Sequence, residues 1–238
     1  MNALIALLAT VGLLLGAGAA LGVLDRARFA FRWLLVAALL VALNDALLTR
    51  LFGSAPDLLP GLDRNWQGMA LSLVLSLTAA IAPTFGWRHV GLTLRQEPGS
   101  LRAALPVVGS YCLFFLALAL VFPNDAPSGE EVAFQLTMPG LAEEAFYRGV
   151  LLYALDRAFT GRLRFLGVDW GWGAVLSSAL FGMAHAFGYA DGAFSFDPLV
   201  MALTGLPALV GVWLRLRTGS LLLPIATHNF GNAISLLI

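Results

Sequence analysis

The chain has 238 residues, of which 59% are hydrophobic and 12% charged, and its formal net charge is zero. A soluble domain carries about 25% charged residues, so this sequence lacks the polar surface to cover a water-soluble globule, and its neutrality offers no footprint for nucleic acid. All 14 basic residues are arginine, which excludes a lysine Schiff base, a Ser–Lys dyad and a phosphate-loop lysine; the single cysteine, Cys112, excludes an internal disulfide and a paired-cysteine zinc site.

Apolar runs of bilayer length recur from one end to the other and predict eight spans, at 2–24, 29–49, 67–87, 103–122, 132–155, 172–189, 199–214 and 220–238. The first run ends in "GAGAA", small residues that a signal-peptide cleavage site would use. It has no basic stretch before it and is long, so a retained first helix is expected. The connections are short and carry turn signals, "GSAPD", "FPNDAPSG" and "RTGS". Residues 91–106 are too polar to span, and read either as a short amphipathic piece lying in the interface or as an ordinary loop. No linker separates two compositions and no repeat is visible. The expected fold is all-α, a polytopic membrane protein of about eight transmembrane helices in one domain, 1–238, with a buried polar active site.

Arginine placement sets the orientation. Arg26, Arg28 and Arg32 follow or begin the turn after the first span, Arg88, Arg95 and Arg102 follow the third, Arg157, Arg162 and Arg164 the fifth, and Arg215 and Arg217 the seventh. The connections after the fourth and sixth spans have no basic residue and carry Asp125, Glu130, Glu131, Asp191 and Asp197; the one after the second has Arg50 and Arg64. The alternation puts the odd connections in the cytoplasm and both termini outside.

Within this hydrocarbon, "AEEAFYRG" places Glu143, Glu144 and Arg148 in the fifth span. A charge at the bilayer centre costs about 2.5–3.5 kcal/mol on insertion scales, so each needs a partner or a wet cavity. Glu144 and Arg148 are four apart and can pair on one helix face. Glu143 is rotated by about 100° from Glu144, so its carboxylate is expected to point elsewhere, and Pro139 and Gly140 are expected to loosen or kink the helix just before it. Downstream, "FGMAH" sets Phe181 four residues before His185, and "HNFGN" sets His228 four before Asn232. His89, beside Arg88, reads as interfacial, as do Trp170 and Trp172; Asp45 with Asn44 reads as structural.

Each polar group could simply lock helices together. As a set they can hydrolyse. A carboxylate can take a proton from water with help from a histidine, and an amide can donate to the oxyanion of a tetrahedral intermediate. Two histidines and a carboxylate can alternatively hold zinc with an open water position. Other intramembrane hydrolase patterns are missing: there is no HExxH, no GxGD, and no GxSG around Ser110, Ser177 or Ser178.

"EEAFYR", "FGMAH" and "HNFGN" fit EExxxR, FxxxH and HxxxN in that order. On these motifs residues 100–238 resemble the CPBP (CAAX protease and bacteriocin-processing, or Abi) intramembrane endopeptidases, which include the type II CAAX prenyl endopeptidases. The resemblance implies Glu143 as the general base, His185 as its assistant, His228 and Asn232 as the oxyanion and water ligands, and Glu144, Arg148 and Phe181 as supporting residues. The clustered carboxylates and the asparagine favour glutamate-activated water with no cofactor over a zinc site made of Glu143, His185 and His228. The implied partners are membrane lipid and a peptide or protein substrate with a membrane segment, and the implied location is the bacterial inner membrane.

On the arginine-based topology, Glu143 lies half-way along its span, His185 near the outer end of the sixth and His228 near the middle of the eighth. The expected cavity therefore lies in the outer half of the bilayer. Prenylated CAAX tails are cytoplasmic, which argues for a membrane-anchored or exported peptide as substrate. A proton- or ion-coupled transporter using the same groups, or a non-catalytic membrane chaperone, are the rival readings.

Overall fold

The computed structural model describes residues 2–122 and 126–238; Asp125, counted above in the acidic connection, lies outside the described residues. In chain order the elements are α1 (Asn2–Leu24), a 3-10 turn (Arg26–Arg28), α2 (Phe31–Leu48), α3 (Trp66–Ile81), α4 (Ser100–Val121), α5 (Gly129–Gln135) and α6 (Met138–Glu143). A π-helical stretch (Glu144–Leu151) continues α6 into α7 (Leu152–Ala158). Then come β1 (Leu163–Phe165), β2 (Val168–Trp170), α8 (Trp172–Ala186), β3 (Phe187–Ala190), β4 (Ala193–Phe196), α9 (Pro198–Thr218) and α10 (Leu222–Leu237).

Among the described residues four helices, α1, α2, α4 and α9, are long and apolar enough to cross a membrane. The third, sixth and eighth predicted spans are helices of 16, 15 and 16 residues. Outward-facing leucines such as Leu8, Leu113 and Leu120 are exposed, as lipid contact requires, while the largest buried cluster gathers around Phe146, Val150, Leu151 and Leu155 of the 138–158 helix.

The fifth span is not one helix. It breaks after α5, and Thr137 caps α6 with Pro139 in its first turn, where the missing N–H of proline is not needed. The predicted sixth span, 172–189, also ends early, at Ala186. Its last residues pair Phe187 with Phe196 and Tyr189 with Phe194 around a two-residue turn. Asp191 and Gly192 both have positive φ, 52° and 81°, the conformation of a type I′ hairpin turn, which Asp-Gly favours. A second hairpin, β1–β2, turns at Leu166 and Gly167, with φ of 50° and 77°. The architecture is thus mostly helical with two small hairpins, rather than all-α. Alternating aromatic and small residues around an Asp-Gly pair are strand signals that the length of the apolar run overrode.

The connections gather into two faces. Phe29 bridges to Phe159 and the Thr160 N–H donates to Arg28 O at 2.9 Å, joining the turns after α1 and α7. The turn after α3 meets the α9–α10 turn: Arg215 donates to His89 O at 2.6 Å and the Leu221 N–H to Gly91 O at 2.9 Å. Residues 91–99 form turns held by these contacts, not an interfacial helix. On the opposite face the turn after α2 meets the start of α5. There the Arg64 N–H donates to Glu130 Oε1 at 2.9 Å, Trp66 Nε1–H at 3.1 Å, and Arg64 pairs with Glu131. The backbone N–H groups of Arg64 and then Asp63 hold the Glu130 carboxyl below the ordinary carboxylate range.

Candidate active site

All seven residues singled out from the motifs line one cavity of about 380 Å³: Glu143, Glu144, Arg148, Phe181, His185, His228 and Asn232. They come from three places in the chain, the α6–π junction, the last turns of α8 and the middle of α10. Residues 144–151 are all buried. The π stretch hydrogen-bonds i to i+5 rather than i+4, and such turns recur at functional sites because they re-aim side chains.

Glu143 and Glu144 do not diverge as a regular helix predicts. Both reach His228, from opposite sides of its ring. Nδ1 lies 2.7 Å from Glu144 Oε1, and Nε2 lies 3.6 Å from Glu143 Oε2. A carboxylate only accepts, so Nδ1 carries the proton and Glu144 fixes the ring's orientation. Glu144 also pairs with Arg148, whose Nη1 is 3.2 Å from Oε1; both side chains are almost wholly buried, 2% and 3% exposed. The predicted four-residue pair is therefore present, with His228 added to it.

Phe181 is the hub beneath these groups. Its ring lies 4.1 Å from Arg148 Cζ, a cation–π distance. It meets His185 at 4.7 Å and stands edge-on to His228 at 5.8 Å. One turn along α8, His185 Nδ1–H donates to Phe181 O at 2.9 Å, so its Nε2 is left as an acceptor facing the cavity. Asn232 lines the cavity four residues beyond His228, on the same helix face. Four buried atoms at this site have no hydrogen-bond partner: Glu143 Oε2, Glu144 Oε2, Arg148 Nε and Arg148 Nη1. Buried polar atoms are normally satisfied, so these four mark where water or a substrate's polar groups belong.

Two contributors escaped the sequence reading. Asn229, next to His228, accepts from the Gly140 N–H at 2.8 Å and donates to Thr137 O at 3.3 Å. It ties α10 to the start of α6 and so sets the distance from His228 to Glu143. Gly140 permits that contact, since a β-carbon there would overlap Asn229 Oδ1. An asparagine inside an apolar helix is a signal in itself, but the HxxxN pattern drew attention away from it. Tyr111 of α4 also lines the cavity, and nothing in the sequence separates it from other mid-span aromatics.

The remaining candidates lie elsewhere. Asn44 accepts from Ser72 Oγ at 2.6 Å, and with Asp45 it lines a separate cavity of about 160 Å³. His89 Nδ1–H donates to Phe85 O at 3.0 Å and the ring stacks on Tyr153. Ser110, Ser177 and Ser178 are not among the residues lining the 380 Å³ cavity. Among the described residues, no three His, Cys, Asp or Glu side chains come together as a metal-ligand group.

Residues 131–234 match the family described as Rce1-like, type II CAAX prenyl endopeptidase. No curated protein and no solved structure matches the chain. The matched segment contains all seven cavity residues named from the motifs, from Glu143 to Asn232. Over residues 131–234 this integral membrane protein is thus similar to the Rce1-like type II CAAX prenyl endopeptidases.

Proposed function

We propose that the protein is an intramembrane endopeptidase that hydrolyses a peptide bond with water activated by Glu143. The observation that carries this reading is His228 wedged between the two glutamates, at 2.7 and 3.6 Å, in a cavity that also holds His185 and Asn232. Glu143 takes a proton from water while His185 Nε2 accepts the water's other hydrogen bond. The hydroxide oxygen bonds to the scissile carbonyl carbon. The developing oxyanion accepts from the Asn232 amide, while the His228 ring, held through Nδ1–H by Glu144, positions the water. The proton on Glu143 then passes to the leaving nitrogen as the C–N bond breaks.

The same proposal takes the whole chain as one unit that crosses the bilayer eight times. Its support is that the turns after α1 and α7 touch, as do those after α3 and α9, on the face that holds most of the arginines. By the positive-inside rule that face is cytoplasmic in a bacterial inner membrane and both termini lie outside. Phe134, Gln135 and His185 at the cavity lie near the opposite face, so the site is reached from the outer half of the bilayer. The substrate is then a membrane-anchored or exported peptide rather than a cytoplasmic prenylated tail. Cysteine labelling of residues 126–130 from outside intact cells is the expected result; labelling only after the cells are opened would reverse the topology and the substrate class.

A metal-free mechanism is favoured because the acidic and imidazole groups pair with one another instead of converging as ligands. Purified protein should cleave a membrane-anchored reporter peptide equally well before and after treatment with a strong chelator, with no stoichiometric zinc on elemental analysis. Chelator-sensitive cleavage restored by zinc would replace Glu143-activated water with metal-bound water.

A further inference from the structure

The β3–β4 hairpin grows directly out of the site. Residue 187 opens β3 two positions after His185, and the hairpin's base is closed by the Asp197 N–H donating to Ala186 O at 2.9 Å. That bond sets the phase of the ladder. In an antiparallel pair hydrogen-bonded positions alternate, so Ser195 and Ala193 turn their amides toward Gly188 and Ala190. Phe194 and Phe196 therefore turn their N–H and C=O groups away from β3. Among the described residues the sheet has only these two strands, and β4 is exposed along its whole length, with Phe194 and Phe196 at 55% and 53%. β3 instead packs against α1, so β4 is the open edge. It leads directly into α9, whose Leu203 and Thr204 line the catalytic cavity.

The side chains divide by face. Phe187, Tyr189, Phe194 and Phe196 share one face, with Phe187 and Phe194 stacked at 5.4 Å and Tyr189 and Phe194 at 4.9 Å. The other face has only Gly188, Ala190, Ala193 and Ser195. An apolar platform with an open backbone edge suits an apolar peptide in extended form.

We infer that the edge of β4 binds the substrate as an added β-strand, delivering its scissile bond to the cavity beside His185. This rests on the endopeptidase reading above. A peptide bond can be attacked only where the substrate helix has unwound, and near lipid each freed N–H and C=O must find a partner. The outward groups of Phe194 and Phe196 are unpaired partners of the right kind, spaced two residues apart as strand addition requires. Main-chain bonds supply affinity independent of sequence, and the aromatic face selects apolar side chains.

The test uses the full-length Glu143→Gln variant in lipid nanodiscs with a peptide that the wild-type protein cleaves, made of one apolar segment and a polar tail. Backbone hydrogen exchange is read at single residues. The peptide should slow exchange at the Phe194 and Phe196 amides by about tenfold or more, leaving Ala193 and Ser195 as they were. With otherwise active protein, Phe196→Pro should raise KM by about tenfold with kcat little changed, whereas Phe196→Tyr, which keeps the amide, should not. Unchanged exchange at 194 and 196 under saturating peptide overturns the inference. So does protection already complete in empty nanodiscs, which makes the hairpin a lipid anchor. If wild-type protein cleaves no such peptide, the endopeptidase reading itself fails and this inference falls with it.

Discussion

Glu143→Gln is expected to lower kcat/KM for reporter cleavage by about 10²–10⁴-fold, the span covered by general-base catalysis, while the protein stays folded. The reason is local. Glu143 Oε2 is buried without a hydrogen-bond partner and 3.6 Å from His228 Nε2, so it supports no other part of the fold. Glutamine keeps the volume and one acceptor but cannot take a proton from water. The loss should fall on kcat and leave KM nearly unchanged, because the interaction removed belongs to the transition state. Thermal unfolding of the purified variant in detergent should overlay that of the wild type. Cleavage within a factor of about three of wild type would remove Glu143 from the role of base. The nearest substitute would be His185, whose Nε2 is free to accept, and His185→Gln would then carry the larger loss.

Arg148→Met should have the largest effect on stability, a loss of about 3–5 kcal/mol, as is usual when one partner of a buried ion pair is removed. Arg148 and Glu144 are 3% and 2% exposed and 3.2 Å apart, and Arg148 also lies over the Phe181 ring. Methionine fills much of the space but leaves the Glu144 carboxylate with His228 as its one remaining partner. The double variant Arg148→Met/Glu144→Gln should regain most of that loss, because the stranded charge is gone, yet it should remain inactive, since His228 has lost the carboxylate that orients its ring. Unfolding midpoints and reporter cleavage measured on the three proteins separate the two effects. A single variant as stable as wild type would mean that the pair is wet and that the cavity reaches deeper than Glu144.

Composition alone made the bilayer the solvent of this chain, because 59% hydrophobic residues cannot be hidden inside 238. The positions of the apolar helices were legible for the same reason, as α1, α2 and α4 show, each within about three residues of its predicted ends. Hydropathy could not reveal where an apolar run stops being a helix. Phe187–Tyr189 continue the apolar run of α8, and only pairing with Phe194–Phe196 across the Asp191–Gly192 turn makes them a strand. Likewise Pro139 and Gly140 announced a loosened helix before Glu143, but the contact that Asn229 makes from α10 to the Gly140 amide, between residues 89 apart, is set by the packing alone.

The site divides in the same way. Which residues gather at one cavity was readable in one dimension, because ionisable side chains in hydrocarbon are expensive and are kept only in small sets. The four-residue spacing also foretold the Glu144–Arg148 pair. How those groups face one another was decided only by the folded chain. A regular helix turns Glu143 away from Glu144, and only the close seat of α10 puts one imidazole within reach of both carboxylates. Local spacing specifies neighbours along a single helix; the meeting of an acid, a ring and an amide from different helices is set by how those helices pack.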